Sequence, residues 1–504
     1  MTGLSKLLTW RTARWAVLAA AVPALWACNA RRLEAPQPKP ERTFNGLFQQ
    51  VINRDIDIVF MIDNSLSMKP LQDKLAMNFP SFMTQLQMIP GGLPNVHIGV
   101  ISSSLGAGPY SATDIPACPT GGDAGVFQSM QRLPQYCATG SLNAGQNFII
   151  GSAGGMQANY TGNIANAFSC IAGLGDGGCG FEHQFASTLR ALGADGNAPP
   201  PQNANFLRPN AYLGIILITN EDDCSAPPDS MLFNPASRFV SDPLGPLASY
   251  RCNEFGHLCG GARPPRTNIA PNGTDLTGTC KSAEDGTLLK VSDVVSRMKA
   301  LKPDPSKILV AAIAGPPTPY VVETGPATLK DDPIQQWPQI RHSCQQNTGE
   351  YADPSVRIAE WIEAFGANGV FQVICADTFT PALQVIAKKL GALIGDPCVD
   401  GKLLDTTGAL WSDADMNPPD CAVVDHTFSD QGVKIDTPVP SCAMSGGAAP
   451  CWTIKGTGGM CKPGQFFVQF TRQGMQPSDL NSSVSCSVRV CPPPGTIGKP
   501  ADCP

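Results

Sequence analysis

The 504-residue sequence predicts an α/β fold: a doubly wound, mostly parallel sheet with long disulfide-stapled insertions, followed by a small Cys-rich β module. Three observations carry that expectation. Short apolar runs rich in Ile and Val recur at 55–62, 96–101, 212–219, 307–315 and 370–375; runs of this length, bounded by polar residues, read as strands buried on both faces. Segments with helical spacing separate them, the alternation expected when crossover helices cover both faces of a parallel sheet. From Asp396 the helical period stops, and eight cysteines crowd the remaining residues.

The length allows two or more domains, or one with large insertions. The balance is mildly acidic, with a net charge of -6, and implies no nucleic-acid partner. The 50 Gly and 47 Pro indicate long ordered loops more than disorder, since the apolar share of 42% is ordinary for a globular chain.

Residues 1–28 read as a targeting segment. Lys6, Arg11 and Arg14 form a basic region, and 15–25 is an apolar stretch too short for an ordinary membrane span. Leu25-Trp26-Ala27-Cys28 resembles a bacterial lipobox, which implies lipidation of Cys28 after cleavage; the alternative is a secretory signal cut after Ala27. Residues 29–50, with Pro36, Pro38 and Pro40, form a semi-rigid tether. Setting Cys28 aside leaves 18 of the 19 cysteines, an even number that export would convert to disulfides. The spacings suit Cys118–Cys137, Cys170–Cys179, two bridges among Cys224, Cys252, Cys259 and Cys280, and Cys344–Cys375. Scattered histidines and the lack of paired Cys-x-x-Cys motifs argue against zinc.

The strand at 55–62 drives into Asp63-Asn64-Ser65-Leu66-Ser67, and a helix with Leu71, Leu75, Phe79, Phe82 and Leu86 follows, with a kink or break expected at Pro80. In an open parallel sheet the strand's C-terminal end is where ligands bind. One carboxylate and two hydroxyls spaced two apart suit a hard cation. Such residues also cap helices, which is the alternative role for them.

Asp63, Ser65 and Ser67, between an apolar strand and a helix, resemble the metal-ion-dependent adhesion site of von Willebrand factor type A (vWA) domains. The resemblance covers 51–396, with insertions at 105–180, 225–286 and 316–350. It implies Mg2+, or Mn2+ or Ca2+ in its place, held so that a partner's carboxylate completes its shell. Where that family delivers a Thr from a Gly-rich turn, this chain has Glu182 before a helix at 183–192; Glu182 either substitutes for the Thr or simply favours the helix dipole. Where the family has Asp after the strand-ending Thr, this chain has Asn220, whose amide oxygen brings no charge.

Glu221, Asp222 and Asp223 follow as a possible second acidic site, alternatively an exposed acidic turn. Ser102 to Ser104 read as a polar strand terminus, with a place near the site as the alternative. A helix at 354–365 is expected to be capped by Asp353, and 380–394 closes the domain. In the module at 397–504, alternation at 465–470 and 483–490 predicts antiparallel strands.

The whole resembles the Cys-rich vWA lipoproteins of Gram-negative bacteria. The expected role is therefore non-enzymatic: a cell-envelope protein, anchored by lipid on the periplasmic or surface face of the outer membrane. It would bind a protein or cell-surface macromolecule that offers a carboxylate, and no nucleic acid. A metal-free vWA scaffold is the alternative. A hydrolase using His183 beside Glu182 is a third reading, against which stands the lack of any Gly-x-Ser-x-Gly, His-Glu-x-x-His or Walker motif.

Overall fold

The computed structural model describes residues 41–46, 55–89, 93–116, 118–129, 132–151, 158–209, 211–394, 398–399, 402–412, 417–428, 434–455, 466–471 and 481–489. The targeting segment with Cys28 and most of the tether lie outside them. The chain forms a mixed α/β structure around a six-stranded sheet: β1 (Asp55–Ile62), β2 (Asn95–Ser102), β3 (Ile149–Gly151), β4 (Tyr212–Ile218), β5 (Ile308–Ala314) and β6 (Gly369–Val373). Their order is β6-β5-β4-β1-β2-β3, parallel throughout except for β3, which runs against β2.

Seven α-helices lie among the described residues: α1 (Lys69–Gln87), α2 (Ile164–Ala172), α3 (Gln184–Leu192), α4 (Tyr250–Gly256), α5 (Val291–Lys299), α6 (Val356–Glu363) and α7 (Thr380–Ile394). Side chains alternate across β1, as strand geometry demands. Ile56, Ile58, Phe60 and Ile62 pack with α1, α2 and α7, while Val59 and Met61 pack with α3, α5 and α6. With both faces covered, the strands are continuously apolar for the reason the sequence pattern implies.

Pro80 does not break α1, contrary to expectation. Proline lacks the N–H that would bond the carbonyl four residues earlier. That carbonyl, on Ala76, instead accepts from the Ser169 hydroxyl of α2 at 3.4 Å. The neighbouring helix thus offers that group a shared donor, since the same hydroxyl lies 3.0 Å from the Ala165 carbonyl.

The first insertion is less of an insertion than the sequence reading holds. It contributes β3 to the sheet and α2 to the core, where Phe168 stacks on Phe79 with ring centroids 3.4 Å apart. Its disulfides also correct the spacing argument: the bridges are Cys118–Cys179 and Cys137–Cys170, not Cys118–Cys137 and Cys170–Cys179. Short loops were the wrong guide, because Cys137 lies on a turn that packs beside α2, which carries Cys170. Cys224–Cys252, Cys259–Cys280 and Cys344–Cys375 match expectation. No helix among the described residues is long and apolar enough to cross a membrane, and this density of disulfides belongs to an oxidising compartment.

Two compact units are separable. The smaller draws on 1–45, 401–421 and 486–504, and the larger on 46–400 and 422–485. In the smaller, Lys402–Leu403 pairs antiparallel with Val488 and Arg489, and Cys421 bridges Cys486. In the larger, Phe466–Thr471 lies between Cys398–Val399 and Cys451–Lys455, all antiparallel, with Cys442–Cys451 closing the adjoining turn. The predicted strands at 465–470 and 483–490 therefore exist as Phe466–Thr471 and Asn481–Arg489.

Candidate functional site

Strand register sets the site. Ile62 pairs with Ser102 on one side and Ile218 on the other, so β1, β2 and β4 end level. The next residues, Asp63, Ser103 and Thr219, meet at the sheet's C-terminal edge. Asp63 is fully buried. Its Oδ1 accepts from the Ser65 backbone N–H at 2.8 Å and the Ser103 hydroxyl at 3.3 Å, and its Oδ2 from the Thr219 hydroxyl at 2.8 Å. Burial raises its pKa, and these three donors pull it back.

The predicted oxygens converge. The Ser65 and Ser67 hydroxyls are 3.4 Å apart, and Ser67 Oγ lies 3.0 Å from Asn220 Nδ2 and 3.2 Å from its Oδ1. Glu182 joins them from the turn before α3. That turn is clamped by His183 N–H on the Ser103 carbonyl and by Cys224 N–H on the Glu182 carbonyl, both at 2.9 Å. The Glu182 carboxyl is buried and hydrogen-bonds Glu221. Its pKa is held well above the ordinary value, first by burial and then by the charges of Glu221 and Asp63. Partly buried Glu221 is pushed up to about 8 by burial and by Asp353 and Asp63.

Gln72 locks the two sides together. Its amide nitrogen donates to the carbonyls of Asp63 (3.0 Å) and Gly175 (2.9 Å), and its oxygen accepts from the Leu174 and Gly175 N–H groups at 3.1 and 3.0 Å. Between them, Gly178 donates to the Asn64 carbonyl at 2.8 Å. A Cβ on residue 178 would stand 2.3 Å from Asn64 Oδ1, so only glycine fits this contact.

The acidic run does not act as a unit. Glu221 faces the site, but Asp222 and Asp223 turn away and are buried, so neither a second three-carboxylate site nor an exposed turn describes them. Asp222 caps α6, accepting from the Arg357 and Ile358 N–H groups at 2.9 and 3.2 Å, and pairs with His257 at 2.8 Å. That replaces the capping expected of Asp353, whose carboxyl instead meets His342 Nδ1 at 2.6 Å. Asp223 accepts from the Phe185 N–H at the start of α3 and forms a fully buried ion pair with Arg357 at 3.1 Å.

Sequence reasoning missed Tyr351, the place of Asp353 near the site and the part played by Thr219, and it underrated Ser103. The Tyr351 carbonyl accepts from Asn220 Nδ2 at 3.2 Å, and its ring stacks on His342 at 3.8 Å. Only Thr219 and Ser103 carried a signal, as hydroxyls at buried strand ends. His183, the base a hydrolase would need, is buried, donates from Nε2 to the Gly106 carbonyl at 3.0 Å, and is driven down to about 4 by burial. It stays neutral and faces no solvent.

The residues fit a divalent cation on one structural ground. Glu182 Oε1 is buried and has no hydrogen-bond partner. Asp57 is paired with Arg208 and Lys302, and Asp223 with Arg357, whereas no ion pair joins Asp63, Glu182 or Glu221 to a Lys or Arg among the described residues. As they stand, no three carboxyl or imidazole groups among the described residues form a ready-made ion cage; Glu182 and Glu221 rest on each other instead.

A pH dependence follows. A glutamate of ordinary pKa 4.5 raised to about 8 holds, between those values, a proton in the folded state that the unfolded chain has lost. Stability therefore falls as pH rises through that window. His183 destabilises only below its ordinary 6.5. In chelator, the melting temperature is expected to drop from pH 6.5 to 8, and Glu221→Gln to flatten the slope. A melting temperature that climbs over this range would contradict the assignment.

No family model matches the chain, and no curated protein matches it. Among solved structures it is similar to the pilus adhesin SpaC from Lactobacillus rhamnosus GG in an open conformation, with 13% identity, a TM-score of 0.30, and coverage of 89% of this chain and 40% of that one. It is also similar to the human COPII-coat protein Sec24c (8% identity, TM-score 0.25, coverage 92% and 48%). A third is the pilus adhesin RrgA from Streptococcus pneumoniae (12% identity, TM-score 0.20, coverage 89% and 58%). The chain thus spans less than two thirds of each of these proteins, and the likenesses are too distant to assign a role.

Proposed function

We propose that this protein is a non-enzymatic, lipid-anchored envelope protein that grips a macromolecular partner through a divalent cation, as a vWA adhesion site does. The observation that supports it is the meeting of Asp63, Ser65, Ser67, Asn220 and Glu182 at the level ends of β1 and β4, with a buried carboxylate oxygen left unbonded. Asp63, Ser65, Ser67, Asn220 and Glu182 would hold the ion, which supplies positive charge and an open coordination position. A carboxylate from a protein or cell-surface partner would fill that position. The surrounding loops, tied by Cys118–Cys179 and Cys224–Cys252, would shape the approach.

Cation titration followed by thermal melting tests this. An ion at about 100 times its Kd adds about 2.7 kcal/mol of stability, so Mg2+, Mn2+ or Ca2+ should raise the melting temperature, and Asp63→Ala should abolish the rise. If none of the three ions moves it, the metal-free scaffold reading takes over. That reading has its own support: Asp63 is satisfied by Ser65, Ser103 and Thr219, and Ser67 by Asn220, without any ion.

A further inference from the structure

We propose that the ion selected here is Ca2+ rather than Mg2+, and that Glu182 and Glu221 are the residues that select it. The inference rests on the adhesion-site reading above. Mg2+ sites use one or two carboxylates, keep several waters and demand a strict octahedron, whereas Ca2+ takes six to eight oxygens in flexible geometry and tightens with ligand charge.

The side chains gathered here differ from a one-carboxylate, hydroxyl-rich set. Asp63 has accepted three hydrogen bonds of the roughly four that an ionised carboxylate can take. Ser65, Ser67 and Asn220 add three neutral oxygens. Glu182 brings an oxygen, Oε1, that is buried and unbonded, and Glu221 lies against the same carboxyl group. A carboxylate kept ionised in a buried place without a basic partner is costly, and a bound cation would offset that cost. At Asp57 and Asp223 the chain supplies such a partner.

In the metal-free state the two glutamates lean on each other, and turning both carboxyls toward Asp63 would complete six side-chain oxygens. Six close the shell of Mg2+ and leave no place for a partner. The same six leave one or two positions open on Ca2+. Selectivity and adhesion thus impose the same requirement.

The test uses the full chain with Tb3+, a Ca2+-sized probe whose luminescence is excited through Tyr351, whose carbonyl accepts from Asn220 Nδ2 at 3.2 Å. Ca2+ is expected to displace Tb3+ at a concentration about tenfold or more below that of Mg2+. Glu182→Gln and Glu221→Gln should each bring the ratio toward one. The wild-type ratio needs no variant, and near-ultraviolet circular dichroism checks that the glutamine variants are folded. Mg2+ displacing Tb3+ as readily as Ca2+, or glutamine variants with an unchanged ratio, would overturn the calcium inference while leaving the adhesion site intact. Failure of every cation to bind would remove both.

Discussion

Replacing Arg357 with alanine is expected to cost about 3–5 kcal/mol of folding stability, the loss typical when one partner of a buried ion pair is removed. Arg357 and Asp223 are fully buried, and the guanidinium also donates to the Leu289 carbonyl at 2.6 Å. Its removal strands a carboxylate in the core and unties α6 from α3, the helix that follows Glu182. Urea denaturation measures the loss directly. A cost below about 1 kcal/mol would mean that Asp223 gains other partners or protonates cheaply. Arg357→Met should be nearly as costly, since it restores volume but not charge, and this separates the electrostatic cause from a packing defect.

Opening the Cys118–Cys179 bridge is the second large effect. The two cysteines are 61 residues apart in sequence, and closing a loop of that size contributes about 4 kcal/mol in the chain-entropy description. The local consequence is more telling. Cys179 sits in the turn that ends at Glu182, so the Cys118→Ser/Cys179→Ser variant should lose much of its cation-induced rise in melting temperature beyond what its lower stability alone explains. The Cys344→Ser/Cys375→Ser variant serves as the control: it opens a loop of separation 31, and its turn does not carry Glu182. If both double variants keep the full cation response, Glu182 does not depend on the bridge for its position.

Much of this architecture could be read from the chain because it is written locally. The strand at 55–62 carries its own burial pattern, and Asp63, Ser65 and Ser67 follow it without a gap. Asn220 follows the matching strand, so parallel register alone brings them together. Glu182 was visible as a charge ahead of a helix.

What was hidden depends on partners far along the sequence. Asp222 and Asp223 look like a solvated acidic run until Arg357, 134 residues beyond Asp223, is placed beside them. Tyr351 and Asp353 belong to a hairpin that no spacing argument would carry to the end of β1. The nested pairing of Cys118, Cys137, Cys170 and Cys179 follows from packing, not from loop length. α2 is different, because its signal was present: Asn163 accepts from the Asn166 N–H as an N-cap, and Ile164, Ala167, Phe168 and Ile171 recur at helical spacing. The Gly-rich surroundings obscured it.

Gln72 gives the site a mechanical property. A single amide spans the backbone after β1 and the loop at 174–175, so neither can shift without breaking hydrogen bonds to the other. Thermodynamic linkage makes that coupling two-way: whatever rigidifies the Asp63 turn also orders the loop, and a contact on the outer loop tightens the turn by the same free energy. Contact made at the protein's periphery would in this way be felt at the base of the sheet's carboxyl edge.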